Sequence, residues 1–367
     1  MLRALRRTAA AAGLALAAAA AATLPAAADD PVAWENVSPK APDSVLYDIE
    51  TAGGETWAVG ITYDDVMRPL ALRWDGTAWD SPANAIPDQG RLNDVAVAGP
   101  GDAWAVGAQY TGTEGTGTQV LQHWDGSAWS RVDVPDQGGS VDSSLSAVTV
   151  DDDGAVWVAG QAQINSKGNM RSYVLRRDPS GKWTETSGAD AVGWINTLSV
   201  TPDGSLYAAA FEHVFRYDGK RWTASTPVLT GARYESVRVR AADDVWAVGL
   251  QQDGKLWRRP LIMHFDGTAW TQVATPPETG QVFDIAFDGK GFPVAVGESV
   301  DPAVSKTGTY ILTPDTTGAF THTESIDAAG SLYGAMTDSL GRVVAAGVTS
   351  DAPEPLLPYA YVGVRGY

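Results

Sequence analysis

Trp57-Ala58-Val59-Gly60 is the stretch that decides the fold, because this tetrapeptide returns along the chain. Close copies begin at Trp104, Trp157 and Trp246, and degenerate copies begin at Tyr207, Val294 and Val344. The spacings are 47, 53, 50, 39, 48 and 50 residues, so seven units of similar length fill most of the 367 residues. Self-similarity at a nearly fixed period predicts a repeat architecture.

Each unit carries two further landmarks that predict its strands. About ten residues before the tetrapeptide lies a short alternating stretch, such as Leu46–Ile49 or Leu92–Val97. After the tetrapeptide, a second apolar run ends in Asp-Gly and then Trp, as in residues 74–79. Asp-Gly between two alternating runs indicates a hairpin turn, because such turns need residues that tolerate positive φ. We therefore expect four strands in each unit.

Seven four-stranded units predict an all-β, seven-bladed β-propeller. The last unit ends with its third strand, Tyr359–Val364, and has no fourth. Ala33–Val37, near the N-terminus, matches the fourth strand of another unit, Ala128–Val132. We therefore expect the N-terminal strand to complete the last blade and close the ring.

The combined pattern of Trp-Ala-Val-Gly and His-Trp-Asp-Gly-x-x-Trp resembles the secreted β-propeller repeat proteins of actinobacteria. The resemblance covers almost all of residues 29–367, and it implies the fold and export rather than a particular activity. The pattern differs from kelch and tryptophan–aspartate repeats. It also differs from the Asp-box of sialidase-like propellers, because Asp75 and Asp125 are followed directly by Gly. Sialidase chemistry is therefore not implied.

The N-terminus has the pattern of a secretory signal peptide. A basic region is followed by an apolar run over Ala9–Leu24, and small residues precede Asp29; the basic residues are Arg3, Arg6 and Arg7. This pattern predicts a signal peptide over residues 1–28 and a propeller domain over residues 29–367. We expect a secreted protein of the extracellular or cell-wall space, without stable membrane insertion.

Composition excludes several classes of partner and chemistry. The chain has 26 Lys and Arg residues against 44 Asp and Glu residues, a formal charge of −18. This balance argues against nucleic acid as a partner. The absence of Cys rules out disulfides and thiolate metal sites. We expect a monomer that needs no cofactor.

The predicted ligand-binding residues lie where the first strand of a blade begins or in the long loops of the same face. Twelve of the 14 Trp residues fit the repeat, whereas Trp194 and Trp257 do not. A Trp that the repeat does not require is a candidate platform for a sugar ring or a partner, although it can also cap its own loop. The remaining predicted ligand-binding residues are Tyr47, Asn196, Glu235, Phe283 and Tyr333.

Three carboxylates are candidates for acid–base chemistry, and three others for a cation site. Asp48, Asp94 and Asp284 share one repeat position on the first strand. Paired carboxylates can act on glycosides, but an Asp here can equally order a neighbouring loop. The acidic run Asp151, Asp152 and Asp153 is a weak calcium candidate, since no further ligand follows at a fixed spacing. We expect no other metal site.

These patterns predict an exported, non-catalytic binding protein that recognises a carbohydrate or an extracellular protein on its loop-rich face. Variable loops and spare aromatic residues favour this function. The first alternative is a polysaccharide-active hydrolase or lyase that uses carboxylates of the same face. The second alternative is a structural protein of the cell envelope.

Overall fold

The computed structural model describes residues 32–41, 43–63, 65–86, 89–111, 116–137, 142–165, 167–252, 258–301, 306–322, 330–349 and 358–365. Within these ranges the chain is built from 28 β-strands and one short 3-10 helix, Ala189–Ala191. These ranges contain no helix whose length and apolar character would suit a membrane span. The predicted signal peptide, residues 1–28, lies outside the described residues.

The strands are numbered in chain order. They are β1 (Val32–Asn36), β2 (Ser44–Ala52), β3 (Glu55–Tyr63), β4 (Met67–Trp74), β5 (Trp79–Asp80), β6 (Gly90–Gly99), β7 (Asp102–Thr111), β8 (Thr116–Trp124), β9 (Trp129–Val132), β10 (Ser143–Val150), β11 (Val156–Gln163), β12 (Met170–Arg177), β13 (Trp183–Glu185), β14 (Ile195–Val200), β15 (Leu206–Ala210), β16 (His213–Tyr217), β17 (Trp222–Ala224), β18 (Ala232–Ala241), β19 (Asp244–Gln252), β20 (Arg258–Phe265), β21 (Trp270–Gln272), β22 (Gly280–Phe287), β23 (Pro293–Asp301), β24 (Lys306–Pro314), β25 (Phe320–His322), β26 (Gly330–Thr337), β27 (Val343–Thr349) and β28 (Pro358–Arg365).

The strands form four-stranded antiparallel sheets arranged as the blades of a β-propeller. Strands β2–β5, β6–β9, β10–β13, β14–β17, β18–β21 and β22–β25 form blades one to six. The first strands of neighbouring blades pack beside one another, from β2 and β6 round to β22 and β26, and β26 packs against β2. The first strands therefore surround a central channel. An all-β propeller fold is confirmed.

The prediction of a seven-bladed propeller closed by the N-terminal strand needs a correction, because six blades of consecutive strands are described. Six units, rather than seven, form a blade from four consecutive strands, because the last unit supplies only β26, β27 and β28. These three strands form a further sheet in the order β1-β28-β27-β26, in which β1 comes from the other end of the described chain. Trp34 of β1 pairs with Gly363 of β28 in an antiparallel register. We call this sheet the composite sheet.

The Trp of the repeat tetrapeptide packs between blades, as predicted. Trp57 of blade one is fully buried against blade two, where its ring centroid lies 5.0 Å from that of Trp124 and 4.8 Å from that of Trp129. Trp246 of blade five is buried against Phe287 and Phe320 of blade six. Burying a large aromatic ring contributes strongly to stability. The core is therefore a ring of apolar layers between neighbouring sheets.

The Gly of the tetrapeptide permits a β-bulge in the neighbouring first strand. Gly60 pairs with Leu46, and Val59 then pairs with Asp48, so one residue, Tyr47, is extra in β2. A Cβ atom on Gly60 would lie 1.9 Å from the backbone oxygen of Val45. In blade one only Gly fits so close an approach of the two backbones. Blade four has Ala210 at the corresponding position, opposite Ile195, and has the same bulge, so Gly favours the bulge but is not required in every blade. A shift of register at the same repeat position occurs in the first strand of all seven sheets.

Two histidines are part of blade packing. His123 stacks on Trp104 with 4.1 Å between ring centroids, and its Nε2 lies 2.9 Å from Asp102. His264 repeats this arrangement in blade five, with 4.2 Å to Trp246. Both histidines therefore stabilise strand–strand contacts far from the channel mouth.

Candidate functional site

The seven bulges line one cavity at the mouth of the channel. We call the face where the first strands begin the top face, and the cavity of about 370 Å³ at its centre the central cavity. A bulge bends its strand and redirects a side chain, and bulges are often found beside functional sites. The bulge residues that line the central cavity are Tyr47, Asn93, Ser146, Asn196, Glu235, Phe283 and Tyr333.

One wall of the central cavity is aromatic. The ring centroids of Phe283 and Tyr333 are 4.9 Å apart, and those of Tyr333 and Tyr47 are 6.2 Å apart. Burial raises the pKa of Tyr47 to about 12, so its phenol is neutral at ordinary pH. These three rings come from blade six, the composite sheet and blade one, and together they present an apolar surface with hydroxyl groups.

The opposite wall is polar, and its side chains bind the next blade. Nδ2 of Asn93 donates to the backbone oxygen of Leu145 at 2.6 Å, and Nδ2 of Asn196 donates to that of Tyr234 at 2.9 Å. Oγ of Ser146 donates in the same way to the next blade. These bonds fix the side chains. In the described part of the chain, no donor binds the amide oxygens of Asn93 and Asn196, so both are available as acceptors.

Glu235 adds a carboxyl group to the polar wall. It accepts a hydrogen bond from Nδ2 of Asn196 at 3.2 Å. Burial raises the pKa of Glu235, and the positive charges of Arg233 and Arg258 oppose that effect in part. A half-buried carboxyl group with a raised pKa in a cavity marks a candidate functional site.

The three carboxylates proposed for catalysis lie one residue further along the first strands, at the floor of the central cavity. Each accepts a backbone N–H from the first strand of the next sheet. Asp48 binds Val95 at 3.1 Å. The corresponding distances are 2.7 Å from Asp94 to Val148 and 2.9 Å from Asp284 to Ala335. These side chains therefore connect neighbouring sheets.

The floor carries a dense set of charges. Burial raises the pKa of Asp94, and the neighbouring charge of Asp48 raises it further. Arg238 of blade five donates to Asp284 at 2.7 Å and to Glu50 of blade one at 2.8 Å. These contacts cross the channel below the central cavity. They separate it from a second, polar cavity of about 640 Å³, which we call the lower cavity.

Trp194 stands at the rim of the central cavity. Its side chain is 44% exposed. The loop before it is fixed, because Ala189 and Val192 are buried between blades three and four. Trp194 also lines a side cavity of about 220 Å³ on the top face, together with Arg91, Ser144 and Gln161. Trp194, Arg91 and Ser146 line both cavities, so the two are adjacent.

The remaining predicted residues are Trp257 and the acidic run of Asp151, Asp152 and Asp153. Trp257 lies outside the described residues. Asp151 lines the lower cavity, and its carboxylate accepts hydrogen bonds from Ala155 and from the indole of Trp157. Among the residues that the structure describes, no three His, Asp or Glu side chains lie close enough to hold a metal ion.

Several lining residues escape sequence reasoning. Arg91, Asn93 and Ser146 belong to the central cavity although no motif singles them out. Their positions in the repeat could have identified them. Asn93 and Ser146 occupy the repeat position of Tyr47, and Arg91 occupies that of Trp194. Reading these two positions in every unit would have found them.

Solved structures confirm the class of fold. The chain is similar to a streptogramin B lyase, with 12% identity, a TM-score of 0.63, and coverage of 91% of this chain and 98% of the lyase. It is also similar to YCF48 bound to D1 peptide, with 14% identity, a TM-score of 0.58, and coverage of 91% and 96%. A catalytically inactive virginiamycin B lyase from Staphylococcus aureus, solved with quinupristin, has 11% identity, a TM-score of 0.63, and coverage of 91% and 99%.

These similarities establish the β-propeller fold alone. No family model matches the chain. No curated protein matches it either.

Proposed function

We propose that this protein is an exported, non-catalytic binding protein whose central cavity takes a carbohydrate. The observation that carries this proposal is the cavity itself, in which an aromatic wall faces a wall of fixed polar side chains. Sugars combine apolar ring faces with hydroxyl edges. A cavity with one apolar wall and a few placed polar groups complements both.

Trp194 supports the proposal from the rim of the cavity. Its indole is 44% exposed, whereas the Trp residues of the tetrapeptide are buried. An exposed ring held by a fixed loop offers a flat apolar face at little entropic cost. A sugar ring that covers Trp194 would extend from the central cavity toward the side cavity.

The polar wall supports the same function through its unused acceptors. The amide protons of Asn93 and Asn196 bind the next blade, so the two side chains are held in place. Their amide oxygens can accept from sugar hydroxyls. Preorganised groups of this kind bind a ligand with little loss of side-chain freedom.

The alternative, an enzyme acting on polysaccharides, would depend on a different residue from those predicted. Asp48, Asp94 and Asp284 are engaged with neighbouring sheets. Glu235 is a better candidate, because burial raises its pKa and it lines the cavity. A raised pKa suits a general acid.

A glycan array with purified protein, followed by calorimetric titration of the hits, tests the proposal. We expect binding of an oligosaccharide without turnover, and Trp194→Ala to weaken it about tenfold. Chromatography of the incubated ligand separates binding from catalysis. Cleavage products that disappear in Glu235→Gln would establish the enzyme instead. Binding of peptides but of no glycan would overturn the carbohydrate proposal.

Export is a separate part of this proposal. It is supported by the basic and apolar N-terminal pattern of residues 1–28 and by the acidic composition. We expect the protein in culture medium or in the cell-wall fraction, with Asp29 as its first residue. Recovery of intact Met1 material from washed membranes would contradict export by cleavage at this site.

A further inference from the structure

We infer that the carbohydrate is acidic, and that the guanidinium group of Arg91 binds the carboxylate of a uronic acid. The inference rests on the proposed carbohydrate function and adds the charge of the ligand. Arg91 lines both the central cavity and the side cavity, so a ligand in either of them reaches its side chain.

The side chain of Arg91 forms no hydrogen bond or ion pair in the described part of the chain, although its charge acts on the phenol of Tyr47. Its Nε atom is buried and makes no hydrogen bond. Other arginines of this acidic protein do bind carboxylates, such as Arg240 with Asp244 at 2.8 Å and Arg342 with Asp338 at 2.7 Å. A buried donor without an acceptor is costly. The guanidinium group of Arg91 therefore lies between the two cavities with a donor that has no acceptor in the described part of the folded protein.

A carboxylate is a better acceptor for this guanidinium group than a hydroxyl group. The guanidinium group is planar and presents paired N–H donors that match the two oxygens of a carboxylate. Trp194 lines the same two cavities as Arg91. A pyranose ring that stacks on the indole of Trp194 would place an acidic substituent near the guanidinium group of Arg91. A uronic acid carries both features in one ring.

The acidic groups that the structure describes around Arg91 form no ion pair with it. The carboxylates at the floor of the central cavity accept backbone N–H groups of neighbouring sheets; they are Asp48, Asp94 and Asp284. Asp142 also lines the side cavity; its Oδ1 atom accepts the backbone N–H of Gly117 at 2.7 Å, and it forms no ion pair with Arg91 in the described part of the chain. Glu235 lies on blade five, across the channel from Arg91 on blade two, and its partner is Asn196. Tyr47 is neutral because its pKa is about 12. No acidic side chain within the described ranges forms an ion pair with Arg91.

The experiment compares acidic and neutral forms of the same sugars. A panel of galacturonate and glucuronate oligosaccharides, their methyl esters and their neutral counterparts is titrated into the purified protein. We expect the free acids to bind at least tenfold more tightly than the methyl esters. We expect Arg91→Gln to abolish this preference and Arg91→Lys to retain part of it, because Lys keeps the charge but loses the paired donors.

Arg233→Gln is the matched control. Arg233 occupies the repeat position of Arg91 in blade five, where its guanidinium group lies 4.3 Å from the ring centroid of Phe211. It lines neither of the two cavities and cannot pair with a carboxylate bound there, although its charge acts on Glu235. We therefore expect the preference for the acid to be kept. Thermal unfolding of each variant verifies that the fold is retained.

The outcomes distinguish the inference from the proposed function. Equal binding of acids and esters, with loss of both in Trp194→Ala, would overturn the acidic ligand and support carbohydrate binding. Binding that needs Arg91 but is limited to peptides with a free C-terminal carboxylate would overturn the uronic acid and the carbohydrate alike. Absence of binding to any sugar of the panel would also overturn the inference, and the glycan array then decides the proposed function.

Discussion

Arg238 of blade five binds Glu50 of blade one across the central channel, with 2.8 Å between the guanidinium nitrogen and the carboxylate oxygen. The two residues are 188 positions apart in the chain. Arg238 also binds Asp284 of blade six and the backbone oxygen of Ala335 in the composite sheet. One side chain therefore connects four sheets, and it lies beneath Asp284, which lines the floor of the central cavity.

We expect Asp284→Ala to destabilise the protein by about 3–5 kcal/mol, because it removes one of the two carboxylates that neutralise Arg238 and leaves buried donors without their acceptor. Asp284 also accepts from Oγ of Ser236 at 2.6 Å and from the backbone of Ala335. Urea unfolding measures the change. The exposed residue Asp190 provides a control, and Asp190→Ala should unfold like the wild type. Equal stability of Asp284→Ala and wild type would show that the floor is not held by these bonds.

Trp194 and Trp246 should respond differently to truncation. Trp246→Ala removes a ring that is 1% exposed, and we expect a loss of about 3–5 kcal/mol. Trp194→Ala removes an exposed ring and should leave the melting temperature near that of the wild type. Thermal unfolding of both variants beside the wild type makes the comparison. Early melting of Trp194→Ala would show that the ring supports the fold.

We expect Gly107→Ala to destabilise blade two by about 1–3 kcal/mol, the usual cost of overpacking. A Cβ atom at this position would lie 1.9 Å from the backbone oxygen of Arg91. Gly99 is the matched control in the same blade, because a Cβ atom there meets no atom within 4 Å. Urea unfolding of Gly107→Ala and Gly99→Ala separates the clash from a general effect of replacing Gly. Identical midpoints for the two variants would contradict the role of Gly in the bulge.

Stability should fall as pH falls from about 4 to about 2. Hydrogen bonds from the side chain of Ser127 and from the backbone lower the pKa of Asp125 to about 2, and Asp266 has a similar turn and a similar value. A carboxylate whose pKa is lower in the folded state stabilises the fold above the unfolded pKa, and this contribution is lost as pH falls through the folded pKa. Burial raises the pKa of Asp94 and of Glu50, so both groups favour the folded state in their protonated form. Their contribution to stability is therefore lost as pH rises above about 4.

The double variant Asp125→Asn/Asp266→Asn tests this loss of stability at acidic pH. We expect a shallower loss of stability between pH 4 and pH 2 than in the wild type, measured by urea unfolding at a series of pH values. Asp190→Asn, outside these turns, should keep the wild-type slope. If the free energy of unfolding of the double variant falls as steeply with pH as that of the wild type, other groups cause the loss of stability at acidic pH.

The sequence by itself determined the local structure. The alternation of apolar residues predicts strands, Asp-Gly predicts the hairpins, and the period predicts the four-stranded unit. The positions of Trp57 and Trp246 predict packing between blades, which the structure confirms. These features are readable because each depends on residues close together in the chain, and because the repeat presents the same evidence several times.

Only the tertiary structure decided what lies at the centre. Asp48, Asp94 and Asp284 share a repeat position, yet their partners are backbone amides of the next sheet, and sequence spacing does not reveal which atoms meet. The central cavity collects one bulge residue from every sheet, so its aromatic and polar walls exist only after the ring has formed. The physical reason is that a channel brings together residues separated by whole blades, and the chain pattern within one blade carries no information about its opposite wall.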